Sequence, residues 1–387
     1  MQQLLLTAAL TDRLEATTAW QRWLLTAEET TFDVGSQRLA PLVYKNLTKH
    51  GVDHPHLSRF KGLYRRTWYS NQQLLRRCES ILELFRKNGV PTMLMKGIPL
   101  SLTVYRDLGV RPMDDIDLAI PADRAALATK ILIEAGWLPD DPVHQVRADR
   151  QVAATFRAQD GTQLDLHFSL FHEILNNAHM EIIWRRAVPI TLVQTQSLAP
   201  CVEDQLLHTM AHGLRSNALP PIRWIADAVS LIRSDASLDW TLLLREAHEL
   251  QLSLVLQRAL KHLSDHYACV PPDVLTRISK HKPTRLERFE FYVGRTVRIP
   301  LVVLVQYARL NPRLARPSFA LGFLRFMQDK WQTATLAATL RRLTTKWLRA
   351  VLRDHHLNAV SGHELRRGKH DDQSRPVEVS KFEGDQA

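Results

Sequence analysis

The sequence predicts an α+β protein in which a small mixed sheet is flanked by N-terminal and C-terminal helical regions. Three observations predict it. Apolar residues recur at spacings of three and four through the first 88 residues, and that helical period returns after Pro200. Between about 90 and 172 short apolar runs alternate with glycine and proline turns, as strands and their connecting helices do. VAATFRA and TQLDLHFSL, on either side of QDG, form the clearest hairpin signal in the chain.

Residues 1–88 are an N-terminal helical region, carried by RLEATTAWQRWLLTAEE and NQQLLRRCESILELFRKNG, with Asn88-Gly89 as the stop. Residues 89–198 are the α/β core. In it VPTMLMKG reads as a buried strand running into a glycine turn, IPLSLTVYRD as a helix, DIDLAIP as a strand stopped by Pro121, and ADRAALATKILIEAGW as an amphipathic helix closing on Gly136. Residues 199–270 are helical again, with VEDQLLHTMAHGLRS, PPIRWIADAVSLIRS and DWTLLLREAHELQLSLVLQRALKHLSD as successive helices. Residues 271–360 form a basic helical region, in which 284–354 carry fourteen Arg and Lys against four Asp and Glu. The tail, 361–387, holds almost no large apolar residue and is expected to be disordered.

With 387 residues, 45% of them hydrophobic, the chain can bury substantial cores. A formal net charge of +11 suits an anionic partner such as a nucleotide, a nucleic acid or an acidic membrane surface, although a plain solvated basic surface gives the same figure. Cys78, Cys201 and Cys269 are scattered without a CxxC, which argues against a disulfide framework or a zinc site and fits a reducing cytoplasm. The first apolar run is broken by Asp12 and Arg13, unlike a secretory signal, and no stretch of about 18 apolar residues offers a membrane span. A soluble, cytoplasmic protein is expected.

The chemistry gathers around RPMDDIDLAIP, residues 111–121. In a strand Asp115 and Asp117 share one face, while Asp114 and Ile116 take the other. Two carboxylates side by side on a half-buried face repel, so a positive group belongs between them. Mg²⁺ suits that place: it takes oxygen ligands and is usually held by one or two carboxylates plus substrate phosphates. Asp165, alternating with Leu164 and Leu166, is the candidate third carboxylate. Gly97, at a strand-to-helix junction, lets backbone approach phosphates, and Lys96 adds a cation beside it. Asp114 reads as a solvated or capping residue. Arg111 forms either an ion pair with one of these aspartates or a phosphate contact, and guanidinium geometry favours the second.

His167 follows Asp165 by two positions and should face the same side. There it either orients the metal shell, contacts substrate, or is an ordinary strand histidine. His208 and His212, four apart on one helical face near Glu203 and Asp204, suggest a metal, but EDQLLHTMAHG is not HExxH and spacing places no third ligand. The basic C-terminal helices offer weak contact with nucleic acid or an acidic membrane surface, with ordinary packing the favoured reading.

From about residue 40 to 250 the chain resembles the uncharacterised nucleotidyltransferase group of the polymerase β superfamily. The resemblance rests on Lys96-Gly97 at a strand end, Arg111 with Asp115-Ile116-Asp117, Asp165-Leu166-His167, and the flanking PLVYKNLTKHG, ILELFRKNGVP and EDQLLHTMAHG. It implies a mixed sheet flanked by helices and Mg²⁺-dependent transfer of a nucleoside monophosphate from an NTP to an acceptor, which could be a protein hydroxyl, a small molecule or RNA. Asp115, Asp117 and Asp165 would be catalytic and hold one or two metal ions about 3.5–4 Å apart. Lys96, Gly97 and Arg111 would bind the triphosphate, with His167 as a possible substrate contact. The wider superfamily has Gly-Gly or Gly-Ser where this chain has Lys-Gly, so no serine hydroxyl is offered there. The alternative is therefore a catalytically inactive nucleotide-binding or partner-binding module on the same fold. An adaptor using the basic C-terminal region is a third, weaker reading.

Overall fold

The computed structural model describes residues 2–26, 33–140, 146, 148, 151–171, 177–214, 222–235, 237–295, 304, 307–308, 318–331 and 333–345. The chain divides into two compact units, Met1–Arg295 and Thr296–Ala387.

The first unit opens with helices α1 (Gln2–Leu10), α2 (Arg13–Thr26), α3 (Val34–Lys49) and α4 (Leu57–Lys87). Asp33 caps α3 by accepting from the Ser36 N–H, and Asn88-Gly89, the glycine at φ 67°, ends α4 where the sequence places the stop. At 31 residues, about 46 Å of rise, α4 links two hydrophobic cores. Its Leu57 and Phe60 pack with Trp20 and Trp23, whereas Leu74, Leu75, Cys78, Ile81, Leu82 and Phe85 pack under the sheet.

The sheet has seven strands: β1 (Met93–Leu94), β2 (Asp115–Ala119), β3 (Leu138–Pro139), β4 (Ala153–Arg157), β5 (Gln163–His167), β6 (Val188–Leu192) and β7 (Thr195–Ala199). Their order is β3-β4-β5-β2-β1-β7-β6. β2 runs parallel to β5 and β1 parallel to β7, and the remaining neighbours are antiparallel, so the sheet is mixed as expected. The β4–β5 hairpin turns at Asp160-Gly161, where the glycine takes φ 84° and Asp160 accepts from the Thr162 N–H. Ile116, Leu118, Leu164 and Leu166 share a buried face with Phe156 and lie against α4 and the helix α6 (Ala125–Glu134). The residues between them point to the opposite face.

Two local expectations need correction, and one hairpin has no counterpart in the sequence reading. IPLSLTVYRD is not one regular helix: a single turn, α5 (Gly97–Pro99), passes into a π-helical turn over Leu100–Val104. The β6–β7 hairpin was not anticipated, because as the edge pair it buries only Ile190 and Leu192 of β6 and shows little apolar signal. The long helix expected in DWTLLLREAHELQLSLVLQRALKHLSD breaks at Gln251, φ 54°, into α10 (Trp240–Glu249) and α11 (Ser253–Tyr267).

Helices α7 (Asn177–Arg186), α8 (Val202–Gly213) and α9 (Arg223–Ser234), with α12 (Pro272–Lys280) and α13 (Arg285–Arg295), complete this unit. Arg186 pairs with the buried Asp204 of α8 and, at 2.7 Å, with the buried Glu246 of α10, so one guanidinium ties three helices. In the second unit α14 (Ser318–Trp331) and residues 336–345 are helical, and Tyr307 packs on Phe319 and Phe323 with ring centroids 5.0 and 5.6 Å apart. The expected disordered tail, 361–387, lies outside the described residues. Among the described residues no helix is long and apolar enough to cross a membrane.

Candidate functional site

The loop leading into β2 is held by α4. Asn71, fully buried in that helix, donates to the carbonyls of Leu108 and Arg111, both at 2.7 Å, and accepts from the Met113 N–H. Tyr64 donates to Asp107 at 3.0 Å, and Lys45 pairs with the same carboxylate at 2.8 Å. Gly109 fits there because a Cβ would meet the Tyr64 ring at 2.3 Å.

Arg111 is anchored from a distant helix. Its Nε and Nη2 donate to Asp227 of α9 at 3.1 and 3.0 Å, Tyr105 donates to the same carboxylate at 2.7 Å, and Arg223 stands 3.8 Å away. Burial would raise the Asp227 carboxyl, but the Arg111 and Arg223 charges override it and hold it below the usual range. Arg111 therefore forms an ion pair, with Asp227 rather than with an aspartate of the Asp115-Ile116-Asp117 strand. Its Nη1 faces Gly97: a Cβ on that glycine would lie 2.4 Å from Nη1 and 2.7 Å from Met113 Sδ. A side chain at this position would have to displace the Arg111 guanidinium and the Met113 thioether.

The parallel register of β2 and β5 assembles the carboxylates. Asp117 lies opposite Asp165, Asp115 opposite Gln163, and Ala119 opposite His167. With side chains alternating along each strand, Asp115, Asp117, Asp165 and His167 share one face. Asp114 points elsewhere and pairs with the exposed Arg38.

Asp117 is the electrostatic centre. Its Oδ1 accepts from Lys96 Nζ at 2.5 Å and meets His167 Nε2 at 2.8 Å. Burial alone would raise the Asp117 carboxyl, yet the His167 hydrogen bond and the Lys96 charge hold it well below the usual carboxylate range. Asp115 shows the opposite balance. Burial and the neighbouring Asp117 charge push its carboxyl up to about 6, against the partial relief of Lys96. An ionised Asp117 carboxylate can only accept, so in this contact His167 Nε2 is the donor, and His167 Nδ1 is buried without a hydrogen-bond partner among the described residues. Lys96 reaches the pair from a backbone at φ 51°, ψ −111°, a costly conformation for a residue with a side chain.

Ligand atoms of Asp117, Asp165 and His167 all lie within 4.8 Å of one another. Asp115 is not part of that cluster. Asp165 Oδ1 accepts from Thr155 at 2.8 Å and from Gln163 at 3.1 Å, which orients its carboxylate. The two carboxylate oxygens suit a hard divalent cation such as Mg²⁺ or Mn²⁺, while the imidazole suits a borderline transition ion.

His208 and His212 of α8 also border the site. Burial lowers both rings, His208 strongly, and the Lys96 charge is the next cause for each. Their acidic neighbours are engaged elsewhere, Asp204 with Arg186 and Glu203 with the Asp239 N–H at 2.9 Å. No metal cluster forms around these two histidines among the described residues. Sequence reasoning missed Asp227, Tyr105 and Asn71, whose partners are remote in the chain. Thr155 was accessible in principle, because the QDG turn sets it opposite Asp165.

A family model described as an uncharacterised nucleotidyltransferase matches residues 34–268. No match to a curated protein was found. Among solved structures, the chain is similar to an antigenic nucleotidyltransferase-like protein from Paracoccidioides brasiliensis at 15% identity, covering 57% of this chain and 94% of that one with a TM-score of 0.32. The family match spans more than half of the 387 residues and contains every side chain of the site from Asn71 to Asp227. The chain belongs to the uncharacterised nucleotidyltransferase family.

Proposed function

We propose that the protein is a Mg²⁺-dependent nucleotidyltransferase that moves a nucleoside monophosphate from an NTP to an acceptor. The observation that carries this reading is the β2–β5 register, which sets Asp117 opposite Asp165 on the face that Lys96 reaches. Asp117, Asp165 and His167 would hold the cation, with Asp115 as a further carboxylate beside them. A bound Mg²⁺ would supply charge neutralisation at the triphosphate and at the transition state.

The remaining work falls to the chain's own groups. Lys96 and Arg111 Nη1, on either side of Gly97, neutralise phosphate oxygens, while the pairing with Asp227 fixes the direction of the guanidinium. Asp165, oriented by Thr155 and Gln163, receives the proton of the acceptor hydroxyl. A cation held beside Asp115 would favour the ionised form of its raised carboxyl, with the proton passing to solvent. Cys78, Cys201 and Cys269 are all free thiols, which supports a reducing, cytoplasmic setting.

A second reading, nucleotide binding without turnover, is favoured by two features: Lys96 occupies Asp117, and no hydroxyl stands at the Lys96-Gly97 junction. One experiment decides between the two. The purified protein is incubated with each α-labelled NTP, Mg²⁺ and separate pools of RNA, protein and small molecules. Label transfer with pyrophosphate release supports the transferase. Saturable NTP binding with no release in any pool supports the binding module.

A further inference from the structure

The exposed side of α4 has a character that the core does not explain. From Leu57 to Cys78 the helix contains no acidic residue, while Lys61, Arg65, Arg66 and Arg76 are exposed and have no ion-pair partner among the described residues. Trp68 and Tyr69 stand among them, 46% and 60% exposed. The apolar side of the helix is already satisfied, with Phe60, Asn71, Leu74, Leu75 and Cys78 buried. Two large aromatic rings left in water on a basic strip are therefore an addition to the packing, not a remnant of it.

Helical spacing arranges this strip. Lys61, Arg65, Trp68, Gln72 and Arg76 follow one another at steps of four, three, four and four, so they form one row about 22 Å long. Tyr69 lies beside the row, four residues from Arg65, and Arg66, three residues before Tyr69, extends the basic surface further around the helix. Trp68 is four residues from Tyr64 and three from Asn71, the two side chains of α4 that hold the loop into β2. The strip therefore runs beside the segment that delivers Arg111, Asp115 and Asp117.

We propose that this face of α4 binds single-stranded nucleic acid, with bases stacked on Trp68 and Tyr69 and phosphates paired by Lys61, Arg65, Arg66 and Arg76. Charge complementarity selects a polyanion, and exposed flat rings at intervals along the charge select one whose bases are free to stack. The length suits about four nucleotides, the lower end of single-strand sites. A folded duplex would use the charges and leave the rings idle. An acidic membrane would call for an apolar face, and here that face is inside the protein. The inference stands independently of the transferase reading.

The test uses the full chain and fluorescence anisotropy with labelled dodecamers of U and of dT, alongside flotation with vesicles of phosphatidylserine and phosphatidylcholine. Wild type is expected to bind an oligonucleotide, with RNA or DNA preference read from the two arms. Arg65→Ala/Arg76→Ala should lower the slope of log affinity against log salt by about 1.4, two phosphates at 0.7 each. Trp68→Ala should weaken binding at least about fivefold at unchanged salt slope, and Trp68→Phe should restore it, a pattern that a general loss of charge or of folding does not produce. All three variants should keep the wild-type unfolding midpoint, because the altered side chains are exposed. Failure of wild type to bind either dodecamer at 20 µM protein (roughly fivefold below the weak end of nonspecific binding) overturns the proposal. Undiminished binding by Trp68→Ala also overturns it, and so does vesicle binding in place of oligonucleotide binding.

Discussion

Lys96 Nζ lies 2.5 Å from Asp117 Oδ1, and Asp117 is one of three clustered side chains that could hold a cation. The ammonium thus neutralises the carboxylate that a divalent ion would need. In the proposed function the triphosphate would offer Lys96 another partner and free Asp117, which would make cation and nucleotide binding mutually dependent. An opposite charge at this range is worth about 1–4 kcal/mol, depending on screening. Lys96→Met should therefore raise the affinity of the nucleotide-free protein for Mn²⁺ by about tenfold or more, measured by titration calorimetry. It should also weaken the gain in Mn²⁺ affinity that NTP brings. Equal Mn²⁺ affinities for wild type and variant without nucleotide would mean that Lys96 does not guard the site.

The raised carboxyl of Asp115 gives a stability signature without any ligand. A carboxyl pushed up to about 6 in the folded chain, from 3.8, binds its proton more tightly folded than unfolded. Its contribution to stability is complete below about pH 4 and is lost as pH rises through 6. Asp115→Asn should thus be more stable than wild type at pH 7.5, by an amount on the order of 1–3 kcal/mol, with the difference vanishing near pH 4. Urea unfolding of both proteins across that range checks it, and a variant less stable than wild type at pH 7.5 would mark Asp115 as a structural partner.

Asp227 should behave differently, because it is the buried partner of two arginines. Asp227→Asn leaves Arg111 and Arg223 in a dry site without a counter-charge, an uncompensated burial that typically costs about 3–5 kcal/mol. The expected result is a large loss in unfolding free energy, and weak nucleotide binding even where the variant is folded. Wild-type stability in urea would show that Arg111 is held by its neighbours in the loop alone.

Gly97→Ala tests the approach of Arg111 to the strand end. A methyl group there meets Arg111 Nη1 at 2.4 Å and Met113 Sδ at 2.7 Å, so the guanidinium must shift. NTP affinity should fall about tenfold or more while secondary structure is kept, measured by equilibrium binding and circular dichroism. Unchanged NTP affinity would separate Gly97 and Arg111 from the phosphate site.

These relationships differ in how openly the sequence carries them. Asp115, Asp117 and Asp165 were legible because strand alternation and a hairpin turn are local rules, and the β2–β5 register then places them on one face. The role of Lys96 was half legible: its charge and position beside Gly97 were evident, but its reach onto Asp117 depends on a backbone at φ 51°. For Arg111 the sequence offers two readings, an ion pair with a neighbouring aspartate or a phosphate contact, and guanidinium geometry points to phosphate. Its partner Asp227 lies 116 residues away, a pairing that only the packing of α9 on the β2 loop creates. The β6–β7 hairpin escaped notice because an edge strand needs few apolar residues.

The central claim is that these carboxylates perform nucleotidyl transfer, and Asp165 tests it most directly. Pyrophosphate release is measured for wild type and Asp165→Ala with Mg²⁺ and NTP, and nucleotide binding is followed in parallel by thermal shift. At ligand near 100 times the dissociation constant, both proteins should gain about 2.7 kcal/mol from binding. Release should fall at least about a hundredfold in the variant, the scale of a lost proton acceptor. Identical release from the two proteins, or a shift in both with no release from either, would contradict the account.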